Sequence, residues 1–106
     1  MSELDAEDTK LLRLARSARA RTQAAQGAAV RDTDGRTYVA ATLALPSLSL
    51  SALQVAVAMA VSSGALGLEA AVVFGEPPDG AASMAQDAGL AAVRDIAPDA
   101  VVHLIA

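Results

Sequence analysis

No charged residue occurs between Arg36 and Glu69, and the centre of that gap, Pro46 to Gly64, reads P-S-L-S-L-S-A-L-Q-V-A-V-A-M-A-V-S-S-G. Leu50, Leu53, Val57, Ala60 and Val61 recur at helical spacing, while Ala52, Val55 and Met59 carry apolar surface round to the other side. The spacing predicts a helix over Leu48–Ser63 that is buried on most of its circumference. Pro46 with Ser47 or Ser49 would start it, a serine serving as N-cap, and Gly64 would stop it. The gap is long enough to cross a bilayer. It also holds Gln54, Gly64, Gly67 and several serines, and alanine and serine do not drive insertion. A buried core helix, with no membrane as partner, is the better reading.

What surrounds such a helix is limited by composition. The chain is 54% hydrophobic but only 2% aromatic, so its core is Ala, Val and Leu. Residues 1–106 are expected to form one domain, burying roughly two-thirds of the unfolded surface. Small side chains give little buried area each, so a homo-oligomer, dimer or tetramer, is expected. A net charge of -4 does not steer the whole protein to nucleic acid. The absence of cysteine excludes disulfides and every thiolate metal site. The start, M-S-E-L-D-A-E-D, has neither the basic nor the apolar region of a secretory signal, so a soluble cytoplasmic protein is expected.

Taken in order, Asp5 to Gln23 reads as an amphipathic helix with Leu4, Leu11, Leu14, Ala15 and Ala18 on one face. Its acids lie at the positive end of the dipole and Arg16, Arg19 and Arg21 towards the negative end. With Arg13, these arginines are a candidate surface for an unidentified protein or RNA partner. Ala28–Arg31 and Arg36–Leu43 read as a hairpin, with Asp34-Gly35 supplying the positive-φ positions of its turn. Leu68–Phe74 reads as a buried strand, Ser83–Ile96 as a third helix weakened by Gly89, and Val101–Ala106 as a last strand. The order α-β-β-α-β-α-β predicts a mixed sheet with helices packed on it.

Lone motifs carry little chemistry. Gly75 to Gly80 matches no phosphate loop and reads as a surface turn. His103, the one histidine, is expected on an exposed or interface face opposite Val102 and Leu104. Ser47, Ser49 and Ser51 have no base beside them and read as caps.

Four phrases in order carry a resemblance. They are L-L-R-L-A-R-S-A-R-A-R at Leu11–Arg21, G-A-A-V-R-D-T-D-G-R-T-Y at Gly27–Tyr38, A-V-S-S-G-A at Ala60–Ala65 and A-P-D-A-V-V-H-L at Ala97–Leu104. Together they resemble the small zinc-dependent cytidine deaminases. The resemblance implies an α/β three-layer sandwich with helices on both faces of a mixed sheet. It also implies a homodimer or homotetramer, and a further C-terminal segment that this sequence does not contain.

In that family the central helix brings one zinc ligand and a glutamate proton shuttle in C-A-E, and P-C-x-x-C brings two more ligands. The resemblance maps C-A-E onto Ser51, Ala52 and Leu53, the two cysteines onto Gln86 and Gly89, and the proline onto Ala85. The cytidine-contacting N-x-E maps onto Thr42 and Ala44, and a phenylalanine of the pocket onto Ala24. Leucine cannot relay a proton, and serine, glutamine and glycine do not replace three thiolates. The expectation is therefore a catalytically inactive relative with no zinc and no cofactor, its old site filled by packing, acting by assembly or partner binding. A nucleoside- or nucleotide-binding module without turnover is the alternative, and a working cytidine deaminase the least favoured reading.

Overall fold

The computed structural model describes residues 4–77 and 81–106. Helix α1 (Ala6–Thr22) starts at Asp5, whose carboxylate accepts the Asp8 amide at 2.8 Å, and ends on Gln23 at φ 55°. Strands β1 (Gly27–Asp32) and β2 (Thr37–Ala41) form the expected hairpin. Then come a small second hairpin of β3 (Leu43–Leu45) and β4 (Leu48–Leu50), helix α2 (Ala52–Ser62) and strand β5 (Leu68–Phe74). A 3-10 turn at Ala81–Gln86 leads into α3 (Ala88–Ile96), and β6 (Val101–Ile105) follows.

The main sheet runs β2-β1-β5-β6, with β5 and β6 parallel and the other pairs antiparallel. Alternation along β1 and β5 supplies both cores. Ala29, Ala70 and Val72 meet Leu11 and Ala15 of α1 on one face. Ala28, Val30, Ala71 and Val73 meet Leu53, Ala56 and Val57 of α2 and Val93 of α3 on the other. This is the expected three-layer sandwich. Its layers lie close enough that a Cβ at Gly27 would overlap the Ala15 carbonyl. The only residues here that let α1 approach β1 so closely are small ones.

Several boundaries differ from expectation. Leu48–Leu50 is not helix: Leu43, Leu45, Leu48 and Leu50 alternate with smaller residues, and the segment folds back at Pro46-Ser47 with Leu43 opposite Leu50. Helix α2 starts four residues later, with Ser51 and not Ser47 or Ser49 as its cap. S-A-L-Q is the reason: Ser51 Oγ accepts the Gln54 amide at 3.1 Å, and Gln54 Oε1 accepts the Ser51 amide at 2.9 Å. Helix α2 buries Ala52, Leu53, Ala56, Val57 and Ala60 but leaves Met59 and Val61 exposed, so part of its apolar surface stays uncovered. The third helix is divided, because Asp87 caps α3 by accepting the Gly89 amide at 2.7 Å. In the first hairpin turn only Gly35 takes a positive φ, 86°. Asp32 holds that turn through the amides of Asp34 and Arg36 and the Tyr38 hydroxyl, each at 2.9 Å. Of the Gly75–Gly80 turn, Pro78, Asp79 and Gly80 lie outside the described residues.

His103 lies opposite Val102 and Leu104, as expected, but it is not exposed. Its Nε2 stands 3.0 Å from Asp8 Oδ2, beneath α1. Asp8 Oδ1 accepts from Arg31 Nη2 at 2.9 Å, and Arg31 Nε donates to Glu69 Oε1 at 2.8 Å. The cluster joins α1, β1, β5 and β6 in one polar seam.

Burial alone would raise the Asp8 pKa, but hydrogen bonds from His103 and Arg31 outweigh it and hold the group below its ordinary 3.8. A depressed carboxylate contributes stability that is complete above its unfolded pKa and is lost as pH falls through the folded one. Wild-type urea midpoints should therefore fall between about pH 5 and pH 2.5. Asp8→Asn should start lower at pH 5 and fall less; an equal fall in both proteins would refute the assignment.

Candidate functional site

A cavity of about 570 Å³ opens at the end of the sandwich where the loops before β1 and after β2 meet the starts of α2 and α3. Such a volume lies within the roughly 300–1,000 Å³ of small-molecule sites. Gln23 to Gln26, Thr42 to Ala44, Ser49 to Ser51, Pro77, Ser83, Asp87 and Ala88 line it. Four of the sequence-predicted positions, Ala24, Thr42, Ala44 and Ser51, thus come together on its wall. The others do not line it: Leu53 and Gly89 are buried behind, and Gln86 is exposed.

The inner end of the cavity is built by two helix N-termini. Ser51 Oγ, already accepting the Gln54 amide, donates to Asp87 Oδ1 at 2.6 Å. The same oxygen accepts the Gly89 amide at 2.7 Å. One carboxylate therefore joins the starts of α2 and α3, where the positive ends of both helix dipoles favour a negative charge. Sequence reasoning missed Asp87. Its signal was present, an Asp immediately before the apolar run A-G-L-A-A-V.

Behind this latch the packing is tight. A Cβ at Gly89 would stand 2.7 Å from Leu53 Cβ and 2.8 Å from Leu53 Cγ, so the leucine holds the space that a side chain at 89 would need. The resemblance places a proton shuttle at Leu53 and zinc ligands at Ser51, Gln86 and Gly89. These residues do not fit a zinc ion. Gly89 offers no donor, Ser51 Oγ is engaged by Gln54 and Asp87, and a leucine occupies the intervening space. Among the described residues no group of three or more His, Cys, Asp or Glu is placed to hold a metal ion. The expectation of a wholly filled site needs correction, however. Packing fills the Leu53–Gly89 end, whereas the cavity in front of Ser51 stays open.

The remaining wall is fixed by short polar contacts. Thr42 Oγ1 accepts the Gln26 amide at 3.1 Å and donates to the Gln26 carbonyl at 3.2 Å. The buried Gln26 donates from Nε2 to the Gly75 carbonyl at 2.8 Å, tying the loop after α1 to the end of β5. Sequence reasoning missed Gln26 too, because its partner lies far along the chain. Of the basic face, Arg16 and Arg19 lie over the Phe74 ring, at 5.0 and 5.5 Å from its centroid, and Arg19 Nε donates to the Ala25 carbonyl at 3.0 Å. Arg13 and Arg21 are exposed.

Asp87→Ala should cost about 1–3 kcal/mol in urea unfolding, since the Ser51 hydroxyl and Gly89 amide both lose their acceptor. Asp87→Asn keeps an oxygen there and should cost clearly less. Equal losses would mean that the carboxylate's charge, and not the bridge, holds the two helices.

A protein-family model described as cytidine deaminase-like matches residues 4–106. No curated protein sequence matches the chain. Among solved structures, the crystal structure of cytidine deaminase from Burkholderia pseudomallei is similar, with a TM-score of 0.57 and 24% identity. The match covers 66% of this chain and 62% of that one, so this chain spans less than two-thirds of that protein's length. At this identity the likeness concerns the fold. The family match covers nearly all of the sandwich just described, and the chain belongs to the cytidine deaminase-like family.

Proposed function

We propose that this domain is a non-catalytic cytidine deaminase-like protein that acts by binding and assembly. The observation that carries the reading is the contact of Leu53 with Gly89. Hydrolytic deamination in such a fold needs a metal-bound water, acidified far below bulk water, and a carboxylate to move its proton. At the corresponding places this chain has a buried leucine, a glycine and a serine engaged in capping. Purified protein is expected to carry well under one zinc per chain and to form no uridine from cytidine. Stoichiometric zinc together with uridine formation would overturn the reading.

Assembly is supported by the apolar surface that one chain leaves uncovered. Met59 and Val61 on α2, Leu45 and Leu48 on the second hairpin, and Leu66 are all exposed. A core of small residues has few elements of its own to cover them. Light scattering at micromolar concentration should give a dimer or tetramer, and a monomer would count against this part of the proposal.

A nucleoside-binding module without turnover is a second reading, favoured by the open cavity. It is weakened by Ala24, Thr42 and Ala44, which offer no ring to stack on and, in Thr42, a hydroxyl already used twice. Any protein or RNA partner at the basic helix would meet Arg13 and Arg21 more freely than Arg16 and Arg19.

A further inference from the structure

Among the described residues, Asp87 is the one formally charged residue lining the cavity. Among the described residues its hydrogen bonds come from neutral donors, the Ser51 hydroxyl and the Gly89 amide, which orient the carboxylate without cancelling its charge. Among the described residues, no Lys, Arg or His pairs with it. Arg19, on the neighbouring helix, is already committed to Phe74 and the Ala25 carbonyl. An unpaired carboxylate beside a largely apolar wall focuses its field into the cavity and attracts positive charge. The described wall is Ala24, Leu43, Ala44, Leu50, Pro77 and Ala88 with a few serine, threonine and glutamine groups, and no described residue on it is aromatic. Base stacking has nothing to act on there, whereas an aliphatic body would bury well.

We propose that this cavity binds an organic cation, with an amine or amidinium head against Asp87 and an apolar body along Ala24, Leu43 and Leu50. The inference rests on the reading of the site as one that binds rather than turns over. An anion would meet the Asp87 charge without compensation, and a neutral isostere would leave that charge unpaired. A cation gains a charge-assisted hydrogen bond, the strong kind, at a carboxylate already fixed in place.

The test is an NMR titration of the full chain, ¹⁵N-labelled, with three matched probes: cyclohexylammonium, cyclohexanol and cyclohexanecarboxylate. Cyclohexylammonium should shift the amides of Ser51, Ala88 and Gly89 saturably, and about tenfold or more tighter than either isostere, a difference of about 1.4 kcal/mol. Asp87→Asn keeps the acceptor oxygen for Ser51 and Gly89 and should lose that advantage. Should that variant fail to fold, wild-type affinity for the ammonium must weaken with added salt while that for the alcohol does not. Equal affinity for ammonium and alcohol, an unchanged Asp87→Asn, or cytidine outcompeting the ammonium would overturn the inference. Uridine formation from cytidine would overturn the non-catalytic reading beneath it. A chain that neither deaminates nor prefers the ammonium would overturn only the cation site.

Discussion

The two central strands have no exposed face, and the rest of the molecule follows from how they are covered. Each carries a run of small residues, Gly27 to Val30 in β1 and Ala70 to Val73 in β5. Small side chains on both faces draw the helices in, to the point that backbone meets backbone at Gly27 and Ala15. Close layers bring strong dispersion contact but little area per residue. A core of this kind therefore depends on every layer staying in place, and polar seams do some of the holding. The Asp8–Arg31–Glu69–His103 cluster fastens α1 to the sheet, and the Ser51–Asp87 bridge fastens α2 to α3.

The same economy explains the cavity. Where the sandwich ends, the loop after α1 and the second hairpin bring several small residues, Ala24, Ala25, Ala44 and Ser49, to the cavity wall. Space remains in front of Ser51 although the segment behind it is tightly packed. The described wall is held by groups that are spent on one another: Thr42 on the Gln26 backbone, Gln26 on Gly75 and Ser51 on Asp87. What is left to meet a ligand is mostly hydrocarbon and one carboxylate.

Much of this order was legible in the residues. The apolar run Leu68–Phe74, the turn at Asp34-Gly35 and the amphipathic start gave the layers and their sequence. The resemblance placed Ala24, Thr42, Ala44 and Ser51 at one site, and they do share a wall. The misreadings came where two periods fit the same letters. Leu43 to Leu50 is apolar enough to extend a helix, and only pairing of Leu43 with Leu50 reveals strands. In S-A-L-Q the capping box competed with an earlier proline as a start signal. His103 was read from its own strand alone, while its environment is set by Asp8, 95 positions away. Such contacts are fixed by topology and leave no local pattern.

One consequence of the Leu53–Gly89 contact concerns descent rather than stability. Each of these residues makes the other hard to change: a side chain at 89 collides while leucine stays at 53, and a smaller residue at 53 leaves a hole while glycine stays at 89. Single substitutions at either place are penalised, and only a paired change passes without strain. Lineages that acquire such a pair are held in it, as by a ratchet. The two positions should therefore vary together, or not at all, among close relatives of this chain.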